Sequence, residues 1–205
     1  GDLGASLLAN SAALGNTIHF EQGNLVVEIN SNLIPIGYDT IEFSSPNQGA
    51  TLNLGGRNQG TNRFAMDLHD NGSAPLSLTK TGDGAWILGE HDRLNNTPVV
   101  TPSRNTFTGR TTIYLGTLGV QHNGVFGAAG GESVNLIGGN LDLRNVDYAV
   151  NEALSMAGGR LRALFGTNAW TGGVSLDVSS VMEVGTDTSL RIRGPIIGKG
   201  ALIKV

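Results

Sequence analysis

Val134-Asn135-Leu136-Ile137-Gly138-Gly139-Asn140-Leu141-Asp142-Leu143 returns twenty residues later as Leu154-Ser155-Met156-Ala157-Gly158-Gly159-Arg160-Leu161-Arg162-Ala163. Both stretches read apolar, polar, apolar, any residue, Gly-Gly, polar, apolar, polar, apolar. A looser copy lies upstream between Ile113 and Val120 and another downstream between Val181 and Ile192. The N-terminal third has the same texture in Leu25 to Ile29, Thr40 to Phe43 and Thr51 to Gly56. Short alternating runs are strands with one buried face, and glycines supply the φ > 0 conformations of tight corners. A strand this short cannot bury its apolar face alone, so the units must stack on one another. The expectation is an all-β chain: a right-handed parallel β-helix with coils of roughly 20–25 residues, forming a single segment over residues 1–205. The competing arrangement is an antiparallel β-sandwich, favoured by Asn71-Gly72, Asp83-Gly84 and Asn123-Gly124, which resemble hairpin turns. Asn151 to Ala157 begins like a capped helix, but Gly158-Gly159 would end it and the positions also fit the repeat, so a strand is expected there.

Composition narrows the function. Gly accounts for 31 of 205 residues, about twice the ordinary share, without an every-third-residue rule, and apolar residues make up 39%, so neither collagen nor a disordered tail fits. With no Cys there is no disulfide framework, zinc-thiolate site or thiol nucleophile. The net charge is −4 and the 13 Lys and Arg residues are scattered, which argues against a nucleic-acid partner. No apolar run approaches the ~18 residues of a membrane span, so this segment is not expected to insert into a bilayer. A start at Gly1 points to a processed chain or a piece of a longer one.

From Leu78 the order of residues is more specific. Leu78-Thr79-Lys80-Thr81-Gly82-Asp83-Gly84-Ala85-Trp86-Ile87-Leu88-Gly89 is followed by Asn105-Thr106-Phe107-Thr108-Gly109-Arg110-Thr111-Thr112-Ile113-Tyr114-Leu115-Gly116-Thr117-Leu118-Gly119-Val120 and closes on Val125-Phe126-Gly127. This stretch, 78–127, resembles the autotransporter-associated β-strand repeat, whose pattern is L-T-K-x-G-x-G-x-L-x-L-x-G, then N-x-Y-T-G-x-T-x-I-x-x-G-T-L-x-V. The closing 198–205 looks like the start of a further repeat, with Leu202 and Lys204 matching Leu78 and Lys80. The resemblance implies a β-helical passenger segment of a secreted or surface-displayed protein of a Gram-negative-type bacterium. It carries over no catalytic residue. It places Gly82, Gly84, Gly109 and Gly116 at corners, and Leu78, Ile87, Phe107, Ile113, Leu115 and Leu118 in the core. This chain departs from the pattern at Trp86, where a smaller residue is usual, and in the polar insert 90–104, which is expected to leave the rod as a loop.

Two groups of residues are candidate sites. Asp67, His69 and Asp70 place two carboxylates and an imidazole close together, as a cation site or a sugar-directed acid and base would need; a surface turn is the plainer reading. His91, Asp92, Arg93 and Arg104, in the insert, suit a contact surface on a rigid scaffold. Asp142, Arg144 and Asp147, with Arg160 and Arg162 one coil on, should pair along the stack. Trp86, Trp170, Tyr38 and Tyr114 would stack on sugars if exposed and pack if buried. No nucleophile elbow, phosphate loop or zinc-peptidase motif is present, so no cofactor and no metal are expected.

The functional expectation is a non-enzymatic structural module, a stalk or spacer of an extracellular or outer-membrane-surface protein, or a subunit that associates head to tail into a fibre. The alternatives are a polysaccharide-binding or polysaccharide-cleaving β-helix, and an adhesin that meets a surface glycan or host receptor through loop 90–104.

Overall fold

The computed structural model describes residues 17–20, 26–27, 47, 49–57, 62–64, 68–88, 105–128 and 133–205. All regular structure among them is strand. The first sheet stacks β1 (Thr17–Phe20), β3 (Ala50–Leu54), β5 (Leu76–Lys80), β7 (Thr111–Ile113), β9 (Val134–Leu136), β12 (Leu154–Met156), β15 (Val174–Leu176) and β18 (Ile196–Gly198) in that order. The second stacks β2 (Val26–Val27), β4 (Asn62–Phe64), β6 (Ala85–Leu88), β8 (Thr117–Val120), β10 (Asn140–Leu143), β13 (Arg160–Ala163), β16 (Ser180–Val184) and β19 (Leu202–Lys204). A third sheet joins β11 (Asp147–Tyr148), β14 (Thr167–Trp170) and β17 (Ser189–Ile192). The chain thus visits the first two sheets once per turn, adds the third in the turns that hold β11, β14 and β17, and pairs each strand with its counterpart one turn away. Every strand pair is parallel. The fold is a parallel β-solenoid.

That topology excludes the sandwich. Of the hairpin-like dipeptides, Asn71-Gly72 makes a tight turn, with Gly72 at φ 64 and an Asn71–Ala74 bridge, the one antiparallel contact among the described residues. The strands flanking such turns run on around the coil instead of folding back, because each finds its hydrogen-bonding partner in the next coil. The helix-like start at Asn151 likewise gives way to β12, whose Leu154 and Met156 sit one coil above Val134 and Leu136.

The twenty-residue period survives intact where it was legible: Val134, Leu154 and Val174 occupy one register column, and Leu136, Met156 and Leu176 the next. Across the lumen, Trp86, Leu118, Leu141, Leu161 and Met182 form a matching column from the second sheet. All of these side chains are buried, and they belong to one continuous core. The third wall adds an aromatic ladder. Tyr148 and Trp170 are register partners whose rings stack at 4.7 Å between centroids, with Phe126 tilted against Tyr148 at 5.6 Å.

The double glycines have two causes: Gly158 takes the positive φ, 120, that a corner requires, while close approach of the neighbouring coil explains the second glycine of each pair. Gly139 and Gly159 do not adopt positive φ; each lies where the neighbouring coil passes too close for a side chain. A Cβ on Gly159 would sit 2.6 Å from the carbonyl oxygen of Gly139 and 2.5 Å from Cγ of Leu136. Positive φ is used at other corners, including Gly82 and Gly116, both at φ 66.

Two of the expected core positions are displaced. Ile87 is buried, but on the outer side of its strand: it shares a column with Gly119 and Asp142, while Trp86 and Leu88 point inward. Alternation makes this a one-residue change of phase. Trp86 turns in because the lumen accommodates its ring and Gly55 O accepts from its Nε1 at 2.7 Å. Leu115 is half exposed, at 50%. Leu78, Phe107, Ile113 and Leu118 are inside. The strand Leu202–Lys204 lies in the second sheet and Leu76–Lys80 in the first, so the two stretches occupy different walls of the coil. The pairing of β5 with β7 and of β6 with β8 continues in register on either side of the insert.

Candidate functional site

Asp70 is the best-defined member of the first candidate group, and its partners are structural. Its Oδ1 accepts from the backbone amides of Leu76 and Thr108, each at 2.9 Å, and its Oδ2 accepts from the Thr108 hydroxyl at 2.7 Å. The carboxylate therefore fastens its own turn to the next coil. Burial alone would push its carboxyl up, but the Thr108 hydroxyl, the two amides and the nearby His69 outweigh this and hold it below the usual carboxylate range. His69 Nδ1 lies 2.9 Å from the Asp70 carbonyl oxygen, to which it donates as the protonated nitrogen. Asp67 falls outside the described residues, as do His91, Asp92, Arg93, Arg104 and Tyr38. Among the described residues, no three His, Asp or Glu side chains converge as a metal site requires.

Replacing Asp70 by Ala is expected to cost about 2 kcal/mol, since three donors lose a charged acceptor. The depressed carboxyl value makes this contribution present at neutral pH and lost as pH falls through the folded-state value. Urea titrations of the two proteins should therefore converge below the ordinary carboxylate range and separate above it.

The charged patch resolves into pairs between coils. Arg162 grips Asp142, its register partner, with Nε to Oδ1 at 2.5 Å and Nη2 to Oδ2 at 2.8 Å. Arg160 reaches Glu183 at 3.6 Å. Arg193 forks onto Asp147, two coils away, and also meets the Thr171 hydroxyl of the coil between at 3.2 Å. Arg144 lies over the Phe165 ring, 5.2 Å from its centroid. Asparagines do similar work at corners: Asn105 Oδ1 accepts from Leu68 N at 2.8 Å, and Asn123 Oδ1 accepts from Ala149 N and Val150 N. Of the aromatics considered for sugar stacking, Trp86 and Trp170 are buried and Tyr114 is 47% exposed.

Lys80 escaped sequence reasoning as a structural centre. It occupies a core column between Leu54 and Ile113 and is fully buried. Its Nζ donates to the carbonyls of Thr81 at 2.6 Å, Gly82 at 2.7 Å and Leu115 at 3.1 Å. Desolvation lowers its pKa to about 8, partly opposed by Asp83. This also accounts for Leu115: its carbonyl is committed to the buried ammonium while its side chain stands in solvent. Glu152, in the segment whose start resembles a capped helix, is 1% exposed. The aromatic ladder had a signal available, since Phe126, Tyr148 and Trp170 recur every 22 residues.

Comparison with known proteins gives one relative to set beside this geometry. Over 118 residues, 58% of this chain, the sequence is 30% identical to the adhesin BmaC autotransporter of Brucella suis biovar 1 (strain 1330). The match spans 3% of that protein's length. No family model and no solved structure matches the chain.

Proposed function

We propose that this chain is a load-carrying coil segment, a stalk or spacer without catalytic activity, within a protein displayed on the outer surface of a Gram-negative-type bacterium. The observation that carries this reading is the use to which the polar side chains are put. Asp70, Lys80, the Asp142–Arg162 pair and the corner asparagines join one coil to the next, and the Asp147–Arg193 pair spans two coils. Side chains so engaged strengthen a stack and are not aimed at a ligand. Similarity to an autotransporter adhesin supports the setting. The 78–127 stretch supports a relation to the autotransporter-associated β-strand repeat, since its Gly82 and Gly116 turn corners and its Leu78, Phe107, Ile113 and Leu118 fill the lumen.

The test is display. Placed between a secretion signal and an outer-membrane β-barrel translocator, the chain should appear intact on unpermeabilised cells and resist added protease. Retention in the periplasm, rapid surface degradation, or cleavage of a polysaccharide by the purified chain would sink the proposal. A second reading, contact with a glycan or host receptor through 90–104, is favoured by the adhesin name of the relative. It requires that deleting 90–104 preserve display but abolish attachment.

A further inference from the structure

Glu152 is a carboxylic acid placed where a solenoid has no structural use for one. It lies in the turn between β11 and β12, is 1% exposed, and its Oε1 has no hydrogen-bond partner. The next coil closes directly over it: the Cβ position of Gly172 lies 1.6 Å from the Glu152 carbonyl oxygen, so the two turns are in backbone contact. On the adjoining wall are the Tyr148 and Trp170 rings, and the buried Trp170 Nε1 also lacks an acceptor. A buried carboxylate with an unpaired oxygen costs far more than the neutral acid, which needs no counter-ion and brings a donor of its own.

We propose that the turn Val150–Ala153 is a proton-controlled clamp: while Glu152 keeps its proton the coils on either side stay seated, and on ionisation the turn loosens toward solvent. Burial pushes the Glu152 carboxyl up to about 7, which sets the transition near neutrality. Among the described residues, its surroundings offer little to oppose this. Tyr148 is the titratable neighbour on the same coil, and burial and the Glu152 charge both hold its hydroxyl protonated. The overlying turn, Thr171 to Val174, contains no titratable side chain, and the next turn contributes Arg193, already committed to Asp147. On the other side, Gln121 to Ala128 contributes His122.

The sign follows from the folded value lying above the ordinary 4.5. Between these two values the folded chain holds a proton that the unfolded chain has released, so stability is highest in acid and falls as pH rises toward 7. The unfolding equilibrium constant should increase on the order of a hundredfold across that window. Glu152→Gln, which keeps the shape and removes the charge, should flatten this part of the profile and match or exceed the parent at pH 8. The difference between the two proteins separates Glu152 from His122. Hydrogen exchange on the unaltered chain gives a second reading that does not depend on the variant folding. After correction for intrinsic rates, the amides of Leu154 and Thr171, bonded to Gly173 O and Tyr148 O, should lose protection between pH 5 and 8, whereas that of Arg160, bonded to Gly139 O, should not. Parallel profiles for parent and variant, or uniform protection of all three amides across this range, would overturn the proposal.

Discussion

Lys80→Met is expected to lower the urea midpoint by about 1 M or more, a loss of about 3 kcal/mol at an ordinary denaturant slope. Met matches the stem of Lys and suits the column between Leu54 and Ile113, so the lumen stays filled. What disappears is the donor. Three carbonyls, those of Thr81, Gly82 and Leu115, are left turned toward an apolar side chain. Each charge-assisted bond is worth roughly 1.5–3 kcal/mol, and relief from burying the ammonium returns part of the sum. Lys80→Arg should not rescue the loss, because a larger planar group cannot enter a corner where even the Cβ position of Gly116 is 2.6 Å from Nζ. An unchanged midpoint for Lys80→Met would show that the three carbonyls find other donors.

The second large effect separates two adjacent glycines. Gly172→Ala should cost about 3 kcal/mol or more, because the added carbon falls 1.6 Å from the Glu152 carbonyl oxygen and the coils must part to admit it. Gly173→Ala meets only ordinary contacts, Pro195 Cγ and O at 3.7 Å, and its φ lies outside the left-handed region. Alanine there should be neutral or add up to about 1 kcal/mol by restricting the unfolded chain. Thermal unfolding of the two variants checks both statements together. Equal destabilisation would mean that backbone freedom, not coil spacing, explains these glycines.

The coil period was legible because stacking imposes the same demand on every turn: Val134, Leu154 and Val174 are apolar since each covers the last. Trp86 and Ile87 were harder, because two large apolar residues in succession satisfy alternation in either phase and only the width of the lumen decides between them. Lys80 lay outside the reach of pattern reading for a different reason. Its position is apolar by period and its side chain is charged; the conflict is resolved by carbonyls of its own corner and of Leu115, 35 residues away. Asp70 was found but its work was not, since Thr108 comes to it only through the fold. At Glu152 the local cap signal competed with the repeat, and burial of the carboxyl depends on the coil laid over it.

The column Asp142, Arg162, Glu183 runs through three successive coils with charges that alternate in sign. Dropping the single unit from Leu154 to Gly173 would set Asp142 against Glu183, two carboxylates about 5 Å apart, an unfavourable cross-strand neighbour. On the side away from Arg162, Asp142 meets only Gly119, so Arg162 is the member of this column that keeps the two carboxylates apart. The order of these coils, and not only their number, is therefore written into the charges they carry.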